Sequence, residues 1–460
     1  MSGRIRWLVA GAGFTGAVVA ERIARTRGER VLIVDRRDHL AGNAFDFTDE
    51  AGNIIHKYGP HIFHTGSDRI WDYLSQFTGW RPYVHRTMVA IGDHLVTLPF
   101  NLDSLHQIFP GRDADMISAA LVAEHGFGRR VTIGKLLDSS TPTIIEFAHF
   151  LRDNVYLNYV RKQWDLDPEE LSPSVLARLP VSISHDDRYF QSRHQAMPVE
   201  GYAALFERML AHPKIEVALR TEFSDVRADH PTARVVYTGP IDAYFDHRYG
   251  ELPYRSVRFD LSFAARKNIQ PVGTISYPGA AGYTRITDLS HITGQINGSV
   301  LVKEFPEAYA RGRNEPFYPV PTPQSAQMLR PYVEAARKLR GKVWFAGRLG
   351  DYAYYNMDQA CGRAMALVDK EPRWRSMTLR RARCPWHIAA HHGCAAAMAH
   401  CRHVPPWRGA QSAQGCLEMI LGCVKPQASG GPRAAILVGC GQPHRSAPIA
   451  TQRAPSPQGE

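Results

Sequence analysis

The segment that most constrains this chain lies at its start. Residues 5–10, IRWLVA, make an apolar run of strand length, GAGFTG follows at 11–16, and AVVAERIAR continues with helical apolar spacing. A strand that passes through G-x-G-x-x-G into a helix marks a dinucleotide-binding, Rossmann-like unit, which commits the chain to an α/β fold. Gly11 permits the tight turn, Gly13 lets a pyrophosphate approach the backbone, and Gly16 allows close helix–strand packing. Phe14 and Thr15 stand within the loop, where the free N–H groups of the helix start face the phosphates. A second strand, RVLIVD, ends in Asp35, 19 residues after Gly16, the place for a carboxylate that accepts hydrogen bonds from a ribose. Arg36 follows it.

Two further segments favour FAD over NAD. After Asp35 the chain reads RRDHLAGNAFD, and its Gly42-Asn43 turn brings backbone to the dinucleotide a second time. Much later KVWFAGRLGDYAYYNMDQACGRAMA gives a short apolar strand, a Gly347-Arg348 turn and a helix near Met357. This return can direct a second helix N-terminus at the cofactor. An ordinary αβ connection would leave the same pattern.

Charge and cysteine divide the chain in one place. Of the formal net charge of +11, residues 371–460 carry most, with 11 Lys and Arg against 3 acidic residues; the remainder has 44 against 41. A nucleic-acid partner would need the basic excess on a folded surface, so none is expected. Six of the seven cysteines also fall in this tail, with His387, His391, His392, His400 and His403 among them, no Cys-x-x-Cys spacing and poor apolar periodicity. The tail is expected to be disordered, or an atypical extension, and dispensable. A chain ending near Val368 should keep its flavin and turnover; loss of flavin from the shortened chain alone would contradict this. No stretch approaches the roughly 20 apolar residues of a membrane span, and no signal-peptide pattern precedes the first strand. A cytoplasmic protein without membrane insertion is expected.

HKYGPHIFHT, residues 56–65, places three histidines around a Gly-Pro turn. Gly59-Pro60 breaks any helix that could align them on a metal, and no cysteine completes a set, so no metal site is assigned. A polar loop with satisfied histidines, or a loop lying against a cofactor, remain.

The chain resembles the UDP-galactopyranose mutases over residues 3–368. The resemblance rests on the order and spacing of GAGFTGA, HKYGPHIFHT, LPFNLDSLHQIF, YVRKQW, RLPV, DDRYF, MPVEGY, YTGPIDAYFDHRYG, YTRITD, KEFP, EPFYPV and GRLGDYAYYNMDQ. It implies an isomerase that interconverts UDP-galactopyranose and UDP-galactofuranose without net redox change, using N5 of reduced FAD as nucleophile. It also implies that His61 lies beside the flavin, that Gly239 joins the cofactor site, and that the protein is a homodimer. The fold implied is a discontinuous Rossmann-like FAD-binding domain (1–83, 194–245 and 335–370) with an inserted helical domain (102–180). An antiparallel β-sheet layer (84–101 and 246–330) completes it, and 371–460 stands outside as the tail.

For the UDP-sugar, the resemblance assigns Arg178 and Arg285 to the diphosphate, where the guanidinium fork suits paired, charge-assisted bonds. Tyr159 and Trp164 fall on the uridine side, Tyr189, Tyr318 and Tyr354 near the phosphates, and Arg255 in support. Three positions depart from the family pattern. Asn356 stands where bacterial relatives carry Asp, Ala41 replaces a glycine beside the flavin, and Ser182 replaces an arginine that many relatives place after the loop proline. Two other readings stay open: an FAD-dependent, amine-oxidase-like oxidoreductase, and an impaired UDP-sugar-binding homologue.

Overall fold

The run after Arg6 forms the strand Trp7–Ala10, buried along its whole length, at the centre of a five-stranded parallel sheet. The order across the sheet is Ile215–Ala218, Val31–Val34, Trp7–Ala10, Arg234–Tyr237 and Val343–Phe345. Burial on both faces explains why Trp7–Ala10 and Val31–Val34 are continuously apolar rather than alternating, whereas the edge strand Ile215–Ala218 carries Glu216 and is partly exposed. On one face the helix Phe14–Arg27 presents small residues, Ala17, Val18 and Ala20, and packs in one core with Cys361, Ala364 and Met365 of the helix Met357–Lys370. The return expected from KVWFAGRLGD is therefore the fifth strand and the helix that follows it.

This computed structural model describes residues 4–171, 180–279, 281–295 and 297–370. The chain divides into two units, Met1–Thr378 and Leu379–Glu460, and every described residue belongs to the first. Arg178 and the tail lie outside the described residues. No helix among the described residues is long and apolar enough to cross a membrane.

A second sheet has seven strands, in the order Tyr318–Pro319, Tyr254–Ala264, Ser299–Ala308, Arg285–Asp288, Thr274–Ser276, Thr87–Ile91 and His94–Leu98. It departs from a purely antiparallel layer at one pair, because Thr274–Ser276 runs parallel to Thr87–Val89. These strands are separated by the helical layer, so no tight hairpin forces them into opposite directions. Between the sheets in sequence come the helices Leu102–Ile108, Gly111–His125, Ile133–Leu137, Pro142–Leu151 and Leu157–Trp164, with a core that includes Leu105, Leu121 and Phe147. Pro142, at the first turn of its helix, has no amide to leave unpaired there. A π turn, Arg152–Tyr156, joins the last two helices and turns the face that carries Tyr159 and Trp164.

Candidate active site

The glycine loop is held by close approach. Gly11 adopts φ +99°, and its amide donates to the Val34 carbonyl at 2.8 Å. A Cβ on Gly16 would collide with the Gly11 carbonyl oxygen, so Gly16 serves packing. Gly13 differs: a Cβ there would meet Gly42 Cα at 3.7 Å and the Ala41 carbonyl oxygen at 4.0 Å, ordinary contacts. The protein leaves room at Gly13, and the constraint falls on whatever fills the cleft. The helix that starts at Phe14 has no side-chain cap, so its first amides remain available to an anion.

A cavity of about 610 Å³ opens at this point. Gly11, Gly13, Phe14 and Thr15 line it from the loop, and Asp35, Arg36, Gly42 and Asn43 from the second strand and its turn. Gly239, Gly347, Arg348, Met357 and His61 complete the wall, whereas Gly16 lies beneath it. Asp35 has a role that its position alone did not reveal. Its two oxygens accept from the amides of Ala12 (2.8 Å) and Arg37 (2.9 Å), so it braces the loop as well as facing the cavity. Arg36 and Arg37 both pair with Glu315, whose segment walls the far side. Ala41 is buried with φ +69°, a conformation that favours glycine. Ala41→Gly should therefore leave stability unchanged or raise it by up to about 1 kcal/mol. A lowered urea midpoint would show that the methyl packs usefully.

The histidine loop turns back on itself. The His61 ring Nδ1 lies 2.9 Å from the Gly59 carbonyl, and the His61 amide donates to His56 Nδ1 at 3.0 Å. Since a carbonyl only accepts, Nδ1 of His61 carries the proton and Nε2 does not. His64 stacks on Phe190 at 3.7 Å and contacts Ser192 Oγ, so it supports the wall. Burial lowers the pKa of His61 to about 4, with Arg348 and Arg285 acting in the same direction against the Gly59 hydrogen bond. Burial also lowers His56 and His85 to about 3. Among the described residues no group of three or more His, Cys, Asp or Glu could hold a metal ion.

These shifts predict acid lability. The unfolded chain, with ordinary histidines near 6.5, takes up protons that the folded chain refuses, so stability rises with pH across this window. It should be full above about pH 6.5 and fall by several kcal/mol towards about pH 4, at roughly 1.4 kcal/mol per unit of pKa difference. Urea unfolding at pH 7 and pH 4.5, at matched flavin content, measures this. Equal stabilities would refute it.

Beyond His61 lies a larger cavity, about 1270 Å³. Tyr159, Trp164, Tyr189, Arg285, Tyr318, Tyr354 and Asn356 all reach it, drawn from the helical layer, the second sheet and the return segment. The rings of Tyr318 and Tyr354 stack at 5.2 Å and 9°, and Arg348 backs both, 5.0 Å and 5.5 Å from their centroids. Trp164 tilts against each at 6.4 Å. Arg255 does not line the cavity; its Nε donates to the Gln163 carbonyl at 3.1 Å and so steadies the backbone beside Trp164. Burial pushes the Tyr159 phenol up to about 12, which keeps it a donor. His61, Asn43, Arg348, Asn356 and Met357 line both cavities, which therefore meet there.

Arg285 has a partner that inspection of the sequence passed over. It stands opposite Glu304 on the neighbouring strand, with Nε 2.7 Å from Oε2. Burial opposes the Arg285 charge, but Glu304 and the surrounding phenols outweigh it and hold the guanidinium firmly protonated. The pairing is incomplete on the carboxylate side, where Glu304 Oε1 is buried without a hydrogen bond. Lys162 was also missed. Its Nζ donates to the carbonyls of Tyr277 and Gly279 at 2.6 Å and of Tyr283 at 3.2 Å, tying the Tyr159 helix to the turn before Arg285. Each lies inside a motif already quoted, KEFP and YVRKQW, but only the folded pairing gives it a task.

Comparison with known proteins joins the two cavities to one family. Residues 154–354 match the family described as UDP-galactopyranose mutase, and residues 9–77 match a NAD(P)-binding Rossmann-like domain. A probable UDP-galactopyranose mutase of Klebsiella pneumoniae is 34% identical over 369 residues, 79% of this chain and 94% of the relative. The chain belongs to the UDP-galactopyranose mutase family. The membership is an isomerase's, on a dinucleotide-binding α/β fold. A dTDP-fucopyranose mutase of Escherichia coli is 31% identical over 360 residues, covering 76% of this chain and 94% of the relative. The crystal structure of a reduced UDP-galactopyranose mutase shares the fold at a TM-score of 0.59 and 15% identity, over 79% of this chain and 94% of that one.

Proposed function

We propose that this protein interconverts UDP-galactopyranose and UDP-galactofuranose, with FAD in the smaller cavity and the UDP-sugar in the larger. The observation that carries the reading is their meeting at His61, with the Arg285–Glu304 ion pair, and a Glu304 oxygen that lacks a hydrogen bond, in the wall of the substrate-sized cavity. The smaller cavity fits a dinucleotide: open amides at Phe14, a cleft kept clear at Gly13, and Asp35 on its wall. Reduced flavin, when bound, supplies through N5 a nucleophile for the anomeric carbon, with no net redox change.

The chain's own residues then bind and orient. Arg285 offers its fork to the diphosphate, a charge-assisted contact that holds UDP for return to the sugar. Tyr159, as a protonated phenol, and Trp164 flank the base. Tyr189, Tyr318 and Tyr354 donate neutral hydrogen bonds near the phosphates, and Asn356 offers an amide there. His61 is neutral at pH 7, with its proton on Nδ1, so it adds no charge beside the flavin. Homodimer assembly belongs to this reading through the resemblance alone. Indifference to nucleic acid rests on the near balance of charge before residue 371.

A dTDP-linked 6-deoxysugar is the second reading, favoured by the Escherichia coli relative. Two measurements test the proposal. Heat-released flavin should have the mass of FAD, and the reduced protein should turn over UDP-galactofuranose faster than dTDP-fucofuranose. The reverse preference would assign the second substrate, and absence of flavin would remove the mechanism.

A further inference from the structure

The larger cavity carries, beside Arg285 and Arg348, a third cation that none of the chemistry above uses. Arg130 belongs to the two-residue strand Arg130–Val131, which pairs antiparallel with Val181–Ser182 and sets Arg130 directly opposite Ser182. Directly opposite residues in such a pair share a face of the ladder. Ser182 is buried and brings no charge there, while Arg130 reaches the cavity wall that also includes Tyr156 and Tyr189. Among the described residues no group ion-pairs or hydrogen-bonds with the Arg130 side chain. The nearest influential carboxylate, Asp186, is clasped by Arg188, whose Nε and Nη2 donate to it at 2.8 Å and 2.6 Å. Arg130 stays exposed at the cavity wall, and the desolvation it does feel lowers its pKa against the opposing influence of Asp186 and Tyr189. A guanidinium that faces a cavity with no counter-ion bound to it is open to an anion delivered by a ligand.

Resting on the function proposed above, we infer that Arg130 contacts the diphosphate of the nucleotide sugar. The diphosphate is the only anion such a substrate brings, since its base, ribose and hexose are neutral. Arg285 approaches from the second sheet and Arg130 from the helical layer, so bound substrate bridges the two. Ser182 leaves the opposite position without charge, and Arg130 supplies it from across the ladder.

The test uses the full-length, flavin-loaded protein and its Arg130→Met and Arg130→Lys variants. Calorimetry gives the Kd for UDP, and saturation-transfer NMR gives that for uridine. The expected result is UDP affinity about tenfold weaker in Arg130→Met, the scale of one charge-assisted bond. Arg130→Lys should recover part of it, uridine binding should be unchanged, and the dependence of UDP affinity on salt should become shallower. Unchanged UDP affinity in Arg130→Met overturns the contact while leaving the proposed function intact. Equal weakening of UDP and uridine also overturns it, because Arg130 would then serve the nucleoside or the fold. Wild-type protein that binds no UDP overturns the function and the contact together.

Discussion

Arg285→Ala should lower turnover of UDP-galactofuranose by the reduced protein by about a hundredfold or more, while the flavin stays bound. Losing a hydrogen bond to a charged group typically costs about 1.5–3 kcal/mol, roughly ten- to a hundredfold in rate. Misplacement of the leaving UDP adds to that loss. The variant also strands Glu304, which is 3% exposed and already has one oxygen without a partner. A lone buried carboxylate costs stability, so some loss of Tm is expected as well. Arg285→Lys separates the two effects. An ammonium restores charge beside Glu304 and hence stability, but lacks the two-pronged geometry and should recover little turnover. Turnover, Tm and flavin absorbance measured on both variants decide the matter. Near-normal turnover in either one would show that Arg285 does not hold the diphosphate.

The second large effect contrasts two glycines in one loop. Gly16→Val should fail to fold or yield colourless protein, because its Cβ would overlap the backbone carbonyl of Gly11 and neither chain segment can give way. Gly13→Val should fold with near-normal circular dichroism yet lose its flavin. Its Cβ meets protein atoms only at 3.7 Å and 4.0 Å, so the added methyl groups claim space from the ligand. Circular dichroism melts and flavin absorbance, read together, give one result for each position. Flavin retention by Gly13→Val would argue against a pyrophosphate lying over that residue, and a stable yellow Gly16→Val would argue against the packing.

The local elements were legible because their signals are local. The strand Trp7–Ala10, the glycine loop and the helix behind it occupy consecutive residues, and the strand Tyr254–Ala264 announces itself by aromatic and β-branched content. Residues as distant in sequence as Asn43, Arg348 and Met357 could be gathered around His61 only through the family resemblance, since periodicity carries no information on which distant strands pair. The Arg285–Glu304 opposition illustrates this: it depends on the register of two strands, and a slip of one residue would remove it. The parallel pairing of Thr274–Ser276 and the three carbonyls on Lys162 arise in the same way. His56 was legible as a turn residue, but not as the acceptor for the His61 amide, which a particular loop path creates. Ala41 shows the converse. Its departure from glycine is visible in the sequence, and the structure supplies the left-handed backbone that gives the departure a cost.

Isomerisation by this protein should depend on reduced flavin without consuming electrons. The most direct measurement incubates the protein with UDP-galactofuranose, anaerobically, in oxidised and dithionite-reduced form, and follows the nucleotide sugars by chromatography. The reduced protein should convert UDP-galactofuranose to UDP-galactopyranose over many turnovers per flavin, and the oxidised protein should convert none. Equal conversion by both forms would contradict the flavin's part, and oxygen consumption with an amine would point to an oxidase. UDP binding without conversion in either form would contradict the claim outright and leave a UDP-sugar-binding protein.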